Sequence, residues 1–282
     1  MKQDLSGLQT KLSAWGKMQA AVSTLRDATK VLTQSSTWQA SKAGSSDEAS
    51  VMAVGGGTAA AGTYSLSVQS LAQRHSLASL TRFPAGDTAV ITSGGSLEIQ
   101  LGSVNAESLA FEPDLKRKAT PVVIPAGATL AEIRSAINGA NAGVSASILD
   151  DGDGKRLVLT SKETGKAQAF EITSGDAGLA EFAMSTDPLI GMARKQVAAD
   201  SKLTINGLEI TGKSNQLDGV IEGVTLTLKK VTTTPAEISV GGDQDATKAN
   251  LEKFVTAYND LNKLLSDQTR YDPGSKTAGA LQ

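Results

Sequence analysis

The sequence predicts an α+β multidomain protein in which a helical leg, built from both chain ends, carries an antiparallel β domain with a second β domain inserted into it. Apolar residues recur every three or four positions at both ends of the chain, which is the period of a helix. Through the middle they alternate with polar residues, which is the period of a half-buried strand. Because two terminal helices can pair antiparallel, the β portion is expected to lie between them as an insertion.

The N-terminal helix is predicted from a narrow apolar stripe that runs from Leu5 to Leu32, with charged residues off the stripe. Gly7 and Gly16 each weaken an isolated helix by roughly 1 kcal/mol relative to alanine. The stripe therefore needs a partner surface. Packing against its own domain and pairing in a coiled coil both fit the pattern.

The passage of residues 35–62 is rich in serine, threonine and glycine, and it predicts a linker or loop. Its glycines at positions 55–57 lack the Gly-Lys-Ser/Thr continuation of a phosphate-binding loop. From Thr63 onward the apolar period is two. Strands are predicted at residues 63–69, 96–101, 122–124, 144–149, 156–160, 169–172, 202–205, 208–211, 224–229 and 237–240.

Two turns and one capping motif organise the middle of the chain. Asn206-Gly207 is the sharpest hairpin signal, and residues 150–154 join a second strand pair. Lys155 stands where a calcium loop needs its next oxygen ligand, so a plain turn is favoured there. Thr129 and Glu132 have the spacing of a capping box and predict one short helix. Residues 111–121 are expected to form a loop in the second β module.

The C-terminal helix is predicted from a second apolar stripe, which begins at Leu251 and ends at Leu265. Asp245 or Thr247 is expected to cap its N-terminus. Residues 271–274, Tyr-Asp-Pro-Gly, are expected to close the helix with a turn.

The composition offers little for catalysis. The chain has no cysteine and a single histidine, His75, which excludes disulfides, thiolate chemistry and a histidine-cluster metal site. No Gly-x-Ser-x-Gly elbow presents a serine, so His75 is expected to be a polar residue at a strand end. A net charge of −2 gives no electrostatic basis for binding nucleic acid, and no apolar run reaches the roughly 20 residues of a membrane span. We expect no enzyme activity, cofactor, metal, nucleic acid or membrane partner.

Four groups of segments, taken in order, carry a resemblance that spans roughly residues 61–282. They are residues 61–72 (AGTYSLSVQSLA), 144–148 with 151–161, 203–207 with 214–215 and 221–226, and 254–261 continuing through 269–272. In these segments the chain resembles the flagellar hook-associated protein 2 family, whose members form the cap of the flagellar filament.

The resemblance implies an architecture and a function. Residues 1–43 and 244–282 would form the leg, 44–95 and 196–243 the first β domain, and 96–195 the inserted second β domain. A ring of copies of this chain would sit outside the cell at the filament tip and promote flagellin polymerisation. The hook–filament junction protein and a flagellar export chaperone are further implied partners. Type III export is implied as well, and so is adhesion to host mucin in some bacteria.

Leg packing or self-assembly is assigned to both stripes, through Leu5, Leu8, Leu12, Trp15, Val22, Leu25, Leu32, Leu251, Phe254, Tyr258, Leu261 and Leu265. Two other classes stay open: another axial flagellar protein, at the hook–filament junction or flagellin-like, and a glycan-binding surface adhesin. The chain begins within a helix and stops shortly after the Tyr-Asp turn, which suggests a truncated form. In such a form the N-terminal stripe would lack its returning partner, and self-assembly would be weakened.

Overall fold

The computed structural model describes residues 2–57, 59–84, 88–185, 189–272 and 277–281. Its helices are α1 (Lys2–Leu32), α2 (Ser35–Trp38), α3 (Leu130–Gly139) and α4 (Gln244–Thr269), with short 3-10 helices at Lys166–Gln168 and Ala177–Phe182. Its strands are β1 (Ser41–Ser45), β2 (Val51–Gly55), β3 (Gly62–Ser70), β4 (Ser76–Ser79), β5 (Gly95–Val104), β6 (Phe111–Pro113), β7 (Thr120–Ile124), β8 (Val144–Asp150), β9 (Lys155–Ser161), β10 (Ala169–Ser174), β11 (Met192–Gln196), β12 (Ser201–Ile205), β13 (Leu208–Gly212), β14 (Gln216–Ile221), β15 (Val224–Leu228), β16 (Ala236–Gly242), β17 (Tyr271–Asp272) and β18 (Thr277–Ala278).

The strands next to the long helices build one β unit, which we call the proximal unit (residues 41–72 and 199–242). One antiparallel sheet has the order β1-β16-β3-β12-β13, and a second has the order β14-β15-β2. Alternation drives the pairing, since Leu66 and Val68 of β3 are buried while Ser65 and Gln69 are exposed. The two sheets share one aliphatic core, which includes Val51, Leu66, Leu203, Leu226 and Ile238.

The strands between the two halves of the proximal unit build the distal unit (residues 76–196). One antiparallel sheet has the order β10-β5-β6, with β7 also on β5, and a second has the order β11-β4-β9-β8. Helix α3 packs against β8 and β7 and buries Leu130, Ile133 and Ile137 in the core. Phe83 and Phe182 stack within the same core, with ring centroids 5.2 Å apart.

The predicted turns and the short helix are confirmed. Asn206 and Gly207 have positive φ values of 50° and 83°, and they bring Ile205 opposite Leu208 in a two-residue hairpin. Strands β8 and β9 pair up to the turn predicted at residues 150–154. Helix α3 has a complete capping box, because the Thr129 hydroxyl accepts from the Glu132 N–H while the Glu132 carboxylate accepts from the Thr129 N–H.

Two passages predicted to be loops contain strands. Residues 35–62 hold α2, β1 and β2, and residues 111–121 hold β6 and the start of β7. Strands β4, β11 and β14 were also not predicted. The short segments were missed because small residues such as Ala43, Ala53 and Ala78 fill the buried positions, so the apolar alternation is weak.

The start of α4 also differs from the prediction. Asp243 is the N-cap, and its carboxylate accepts a hydrogen bond from the Ala246 N–H at 2.8 Å. Asp245 and Thr247, the predicted caps, lie within the helix. After α4 the short strands β17 and β18 pair with each other. Pro273 and Gly274 of the predicted turn lie outside the described residues.

The domain boundaries stay a prediction. The sheet pairing favours a first boundary near Ser76 rather than at residues 95–96, because β4 pairs with β9 and β11 of the distal unit. Leu77, Phe83 and Ile91 are also buried in the distal core. The second boundary, predicted at residues 195–196, lies where β11 ends.

Candidate assembly surface on the helical leg

Helices α1 and α4, which we call the leg, pack against each other in antiparallel orientation. Ser13 and Lys17 line one groove together with Asp267 and Gln268, while residues 24–31 line another groove with residues 249–260. The residues protected from solvent repeat at three- and four-residue intervals on both helices, as in a coiled coil. These seam residues are Ala14, Met18, Ala21, Leu25, Ala28 and Leu32 of α1, and Asn250, Phe254, Ala257, Leu261, Leu264 and Gln268 of α4.

A second row of large apolar side chains on each helix remains exposed. On α1, Leu12 is 75% exposed and Trp15 is 62% exposed, and Leu8 and Val22 belong to the same row. On α4 the row consists of Leu251, Val255, Tyr258 and Leu265, all exposed.

The two exposed rows lie on the same side of the leg. Each row follows its seam by one residue, for example Trp15 after Ala14 and Tyr258 after Ala257. One residue rotates the side chain by about 100° around the helix axis. In an antiparallel pair, equal rotations on the two helices turn both rows toward the same side. The rows therefore form one continuous surface, which we call the apolar face.

The opposite side of the leg has a different chemistry. Its groove is lined by Thr24, Asp27, Lys253, Thr256 and Asp260 together with smaller apolar residues. Polar and charged side chains of this kind are compatible with water. The two sides of the leg are thus distinct, since the large exposed apolar side chains concentrate on the apolar face and the opposite groove contains Val31 among polar residues.

The structure divides the predicted contact residues into two groups. Leu25, Leu32, Phe254 and Leu261 lie in the seam. Leu8, Leu12, Trp15, Val22, Leu251, Tyr258 and Leu265 lie on the apolar face. Leu5 lies in α1, but its side chain is outside the described part of the chain.

Sequence reasoning missed the alanines of the seam and treated the N-terminal stripe as a single surface. The signal was present, since Ala14, Ala21 and Ala28 recur every seven residues and alternate with larger seam residues. Small residues let the two helices approach closely, so larger residues one position later are left outside the seam. The N-terminal stripe thus has a partner in α4, contrary to the expectation that it lacks one, although half of it stays exposed.

The leg is joined to the proximal unit by specific contacts. The Trp38 indole N–H donates to the Leu32 carbonyl at 2.8 Å, which folds α2 back on the end of α1. The Asp243 N–H donates to the Ala40 carbonyl at 2.7 Å, so the start of α4 lies beside the segment that links α2 to β1. Lys42 forms an ion pair with Asp245 at 3.1 Å, and this carboxylate raises the pKa of the lysine.

His75 is fully buried, which corrects the expectation of a polar residue at a strand end. Its Nδ1 accepts a hydrogen bond from the Ala198 N–H at 3.3 Å, and its ring meets Phe170 edge-on at 5.1 Å. Burial, with a smaller contribution from the Arg194 charge, lowers the pKa of His75 to about 4. The histidine is therefore neutral near pH 7, and it packs against Ala198 and Phe170.

Within the described ranges no three His, Cys, Asp or Glu side chains lie together in an arrangement that could hold a metal ion. In the acidic turn at residues 150–154, the Asp151 carboxylate forms ion pairs with Arg156 at 2.6 Å and with Arg82 at 3.0 Å. No described helix is both long enough and apolar enough to cross a bilayer.

These features define the class of protein. Two β units with well-packed cores are carried on a two-helix leg whose most distinctive surface is a long apolar face. Large exposed apolar patches of this kind mark surfaces that bind other molecules. The fold is therefore a pair of β units on a two-helix leg, with an apolar face as its candidate contact surface.

Comparison with known proteins identifies the family. The family model described as flagellar hook-associated protein 2 N-terminus matches residues 1–75, and the one described as its C-terminus matches residues 198–282. A flagellin hook IN motif matches residues 114–163. The crystal structure of the D1-D2-D3 domains of the flagellar cap protein FliD from Escherichia coli superposes with a TM-score of 0.75 at 32% identity, covering 93% of this chain and 72% of that one. The chain belongs to the flagellar hook-associated protein 2 family.

Curated relatives agree with this assignment. The B-type flagellar hook-associated protein 2 of Pseudomonas aeruginosa PAO1 is 32% identical over 276 residues, covering 92% of this chain and 55% of the relative. Flagellar hook-associated protein 2 of Escherichia coli K12 is 34% identical over 288 residues, covering 98% and 59%. The chain thus spans somewhat more than half the length of these relatives.

Proposed function

We propose that this chain is the β head and part of the leg of a flagellar filament cap. In this function a ring of copies sits at the filament tip, outside the cell, and promotes the polymerisation of flagellin beneath it. The observation that carries the proposal is the apolar face of the leg, on a fold shared with solved cap-protein structures. A cap needs such a surface because its legs have to hold other protein chains while the ring stays closed.

The two β units support the proposal as the rigid part of the cap. A closed ring requires each subunit to contact its neighbours through two different surfaces held at a fixed angle. Short hairpins and continuous sheets in both units suit this role. The family models match up to residue 75 and again from residue 198, which supports an insertion of the distal unit into the proximal one.

We assign the contacts of the leg to the apolar face. Leu12, Trp15 and Val22 on α1, with Tyr258 and Leu265 on α4, would pack against a helical segment of the assembly. Flagellin, the hook–filament junction protein and an export chaperone are the proposed partners of the whole protein. Adhesion to mucin stays a prediction.

A complementation assay tests the function. The natural gene that encodes this chain is expressed in a strain that lacks its cap gene and releases monomeric flagellin into the medium. A cap restores filaments and lowers the free flagellin, while another axial flagellar protein or an adhesin restores neither. Failure of the parent gene to restore filaments would overturn the proposed function.

Two variants of the same gene test the apolar face. Trp15→Ser and Tyr258→Ser exchange exposed apolar side chains for small polar ones and leave the seam residues in place. We expect both to reduce the number of filaments. Val123→Ser, at an exposed apolar position of the distal unit, and Thr256→Ser, on the polar side of the leg, are the matched controls. Normal filaments with both face variants would show that the apolar face is not a contact surface of the cap.

A further inference from the structure

The two β units are connected by two short crossings of the chain. Residues 73–75 lead from the proximal to the distal unit, and residues 197–198 lead back. The Gln73 N–H donates to the Ala199 carbonyl at 2.8 Å, and the Ala199 N–H donates to the Gln73 carbonyl at 3.2 Å. The Ala198 N–H also donates to His75 Nδ1 at 3.3 Å, so the two crossings lie side by side. Short connections of this kind can act as a hinge unless other contacts restrain them.

A loop of the distal unit supplies such contacts. Residues 164–166, which we call the brace loop, follow β9 and reach across to the proximal unit. The Lys166 N–H donates to the Asp200 carboxylate at 2.7 Å, and the Thr164 hydroxyl donates to the Lys213 carbonyl at 3.1 Å. The Gly165 N–H donates to the Gln73 carbonyl at 3.2 Å. The brace loop therefore bonds to two segments of the proximal unit and to the first crossing.

The proximal unit holds the first crossing from its own side. The Asn215 side chain accepts from the Ala72 N–H at 2.7 Å and donates to the Ala72 carbonyl at 3.0 Å. Both backbone groups of Ala72 are thus bonded to one side chain that lies 143 residues further along the chain. These bonds fix the end of the proximal unit from which the first crossing departs.

Gly165 makes the close approach of the brace loop possible. Its φ is +108°, and a Cβ at this position would lie 2.6 Å from the Lys213 carbonyl oxygen and 3.2 Å from Asp200 Oδ1. A side chain cannot be accommodated there without moving the loop off the proximal unit. The glycine is needed for both backbone conformation and space.

We infer that the brace loop, seated on Asp200 and Lys213, locks the proximal and distal units into one rigid body and fixes the angle between them. Without it, the units would keep the contacts of the crossings but lose the bonds to Asp200 and Lys213. The inference concerns the isolated chain. It adds to the proposed function the residues that keep the head rigid.

Pulsed electron–electron double resonance, which measures the distance between two spin labels on the protein, tests the inference. Because the chain contains no cysteine, Ser147→Cys in the distal unit and Ser239→Cys in the proximal unit, both at exposed positions, can be labelled selectively. We expect one narrow distance distribution in the otherwise unaltered chain. Gly165→Ala and Asp200→Ala are each expected to broaden it, with loss of the single narrow population.

Gly152→Ala is the matched control. Gly152 also has a positive φ, of 90°, and lies in the distal unit, but a Cβ there meets nothing within 4 Å. This variant shares the backbone strain of the Gly165 substitution without the displacement of the loop, so its distance distribution should match that of the unaltered chain. Circular dichroism verifies that each variant retains its strands.

A narrow, unshifted distance distribution in both the Gly165 and the Asp200 variant would overturn the inference. A broad distribution in the unaltered chain would overturn it as well. Calorimetry provides a second measurement, because units that are locked together unfold more cooperatively than units that are free. We expect the thermal transition of the β units to split or widen in Asp200→Ala and not in Gly152→Ala. Neither measurement depends on filament formation, so failure of the proposed function is seen separately, in the complementation assay.

Discussion

Lowering the pH from 6.5 to 4.5 is expected to destabilise the protein mainly through one side chain, His75. The ring is fully buried beside Phe170, and its Nδ1 accepts the Ala198 N–H. The Nε2 atom is buried and makes no hydrogen bond within the described part of the chain. A proton on Nδ1 would replace the bond from Ala198 with a repulsive contact, and the charge would be buried near Arg194. Folding therefore favours the neutral ring.

The sign and size of the effect follow from linkage. Burial lowers the pKa of His75 from 6.5 in the unfolded chain to about 4 in the folded one. Between these values the unfolded chain binds a proton that the folded chain does not, so stability is full above pH 6.5 and falls as the pH decreases. The difference corresponds to about 3 kcal/mol at pH 4, since a tenfold change in proton affinity is worth about 1.4 kcal/mol.

The pH window separates this histidine from the carboxylates. Asp47, Asp114, Glu132 and Asp151 have lowered pKa values, so their contributions are present above about pH 4 to 4.5 and are lost below it. Urea denaturation followed by far-ultraviolet circular dichroism at a series of pH values between 6.5 and 4.5 therefore isolates the His75 effect. His75→Gln, which keeps an acceptor for the Ala198 N–H and does not titrate, is the comparison variant.

The free energy of unfolding should fall with decreasing pH in the parent chain and stay nearly level in His75→Gln. Because the chain contains one histidine, its imidazole proton resonance also gives the pKa directly by NMR. Equal slopes in the two proteins, or an NMR pKa near 6.5, would refute the reasoning.

Three further predictions concern local features. Thr129→Ala removes the hydroxyl half of the α3 capping box and should lower the free energy of unfolding by about 1 kcal/mol in urea titrations, whereas Thr129→Ser should have little effect. Gly207→Val forces a β-branched residue into the left-handed turn and should cost about 1–2 kcal/mol by the same assay; an unchanged value would show that the turn can change type. Asp151, whose pKa is lowered to about 2 chiefly by its hydrogen bond from Arg156, stabilises the fold above about pH 4. Asp151→Asn should therefore be less stable than the parent at pH 7 and equally stable near pH 2, and a constant difference across this range in acid titrations would contradict the ion-pair explanation.

Features governed by local chemistry could be predicted from the sequence. The Thr129–Glu132 capping box and the Asn206-Gly207 turn depend on residues within a few positions of one another, so neighbouring side chains decide them. The long helices were predictable for a similar reason, because a strict apolar period persists over many turns. The strands in residues 35–62 were not, since they consist of small residues and acquire their order from distant partners. For example, β1 pairs with β16, which lies almost 200 residues further along the chain.

The same contrast between features set by neighbouring residues and features set by distant contacts applies to the candidate site. By itself the sequence determined that both terminal helices carry apolar stripes and that the middle is antiparallel β structure. Only the tertiary structure decided which stripe residues enter the seam and which form the apolar face, because one residue of rotation separates Ala14 from Trp15. It also decided that His75 is buried and that the brace loop rests on Asp200. Burial and contact between distant segments depend on how the elements pack, and a linear pattern of residue types does not contain that information.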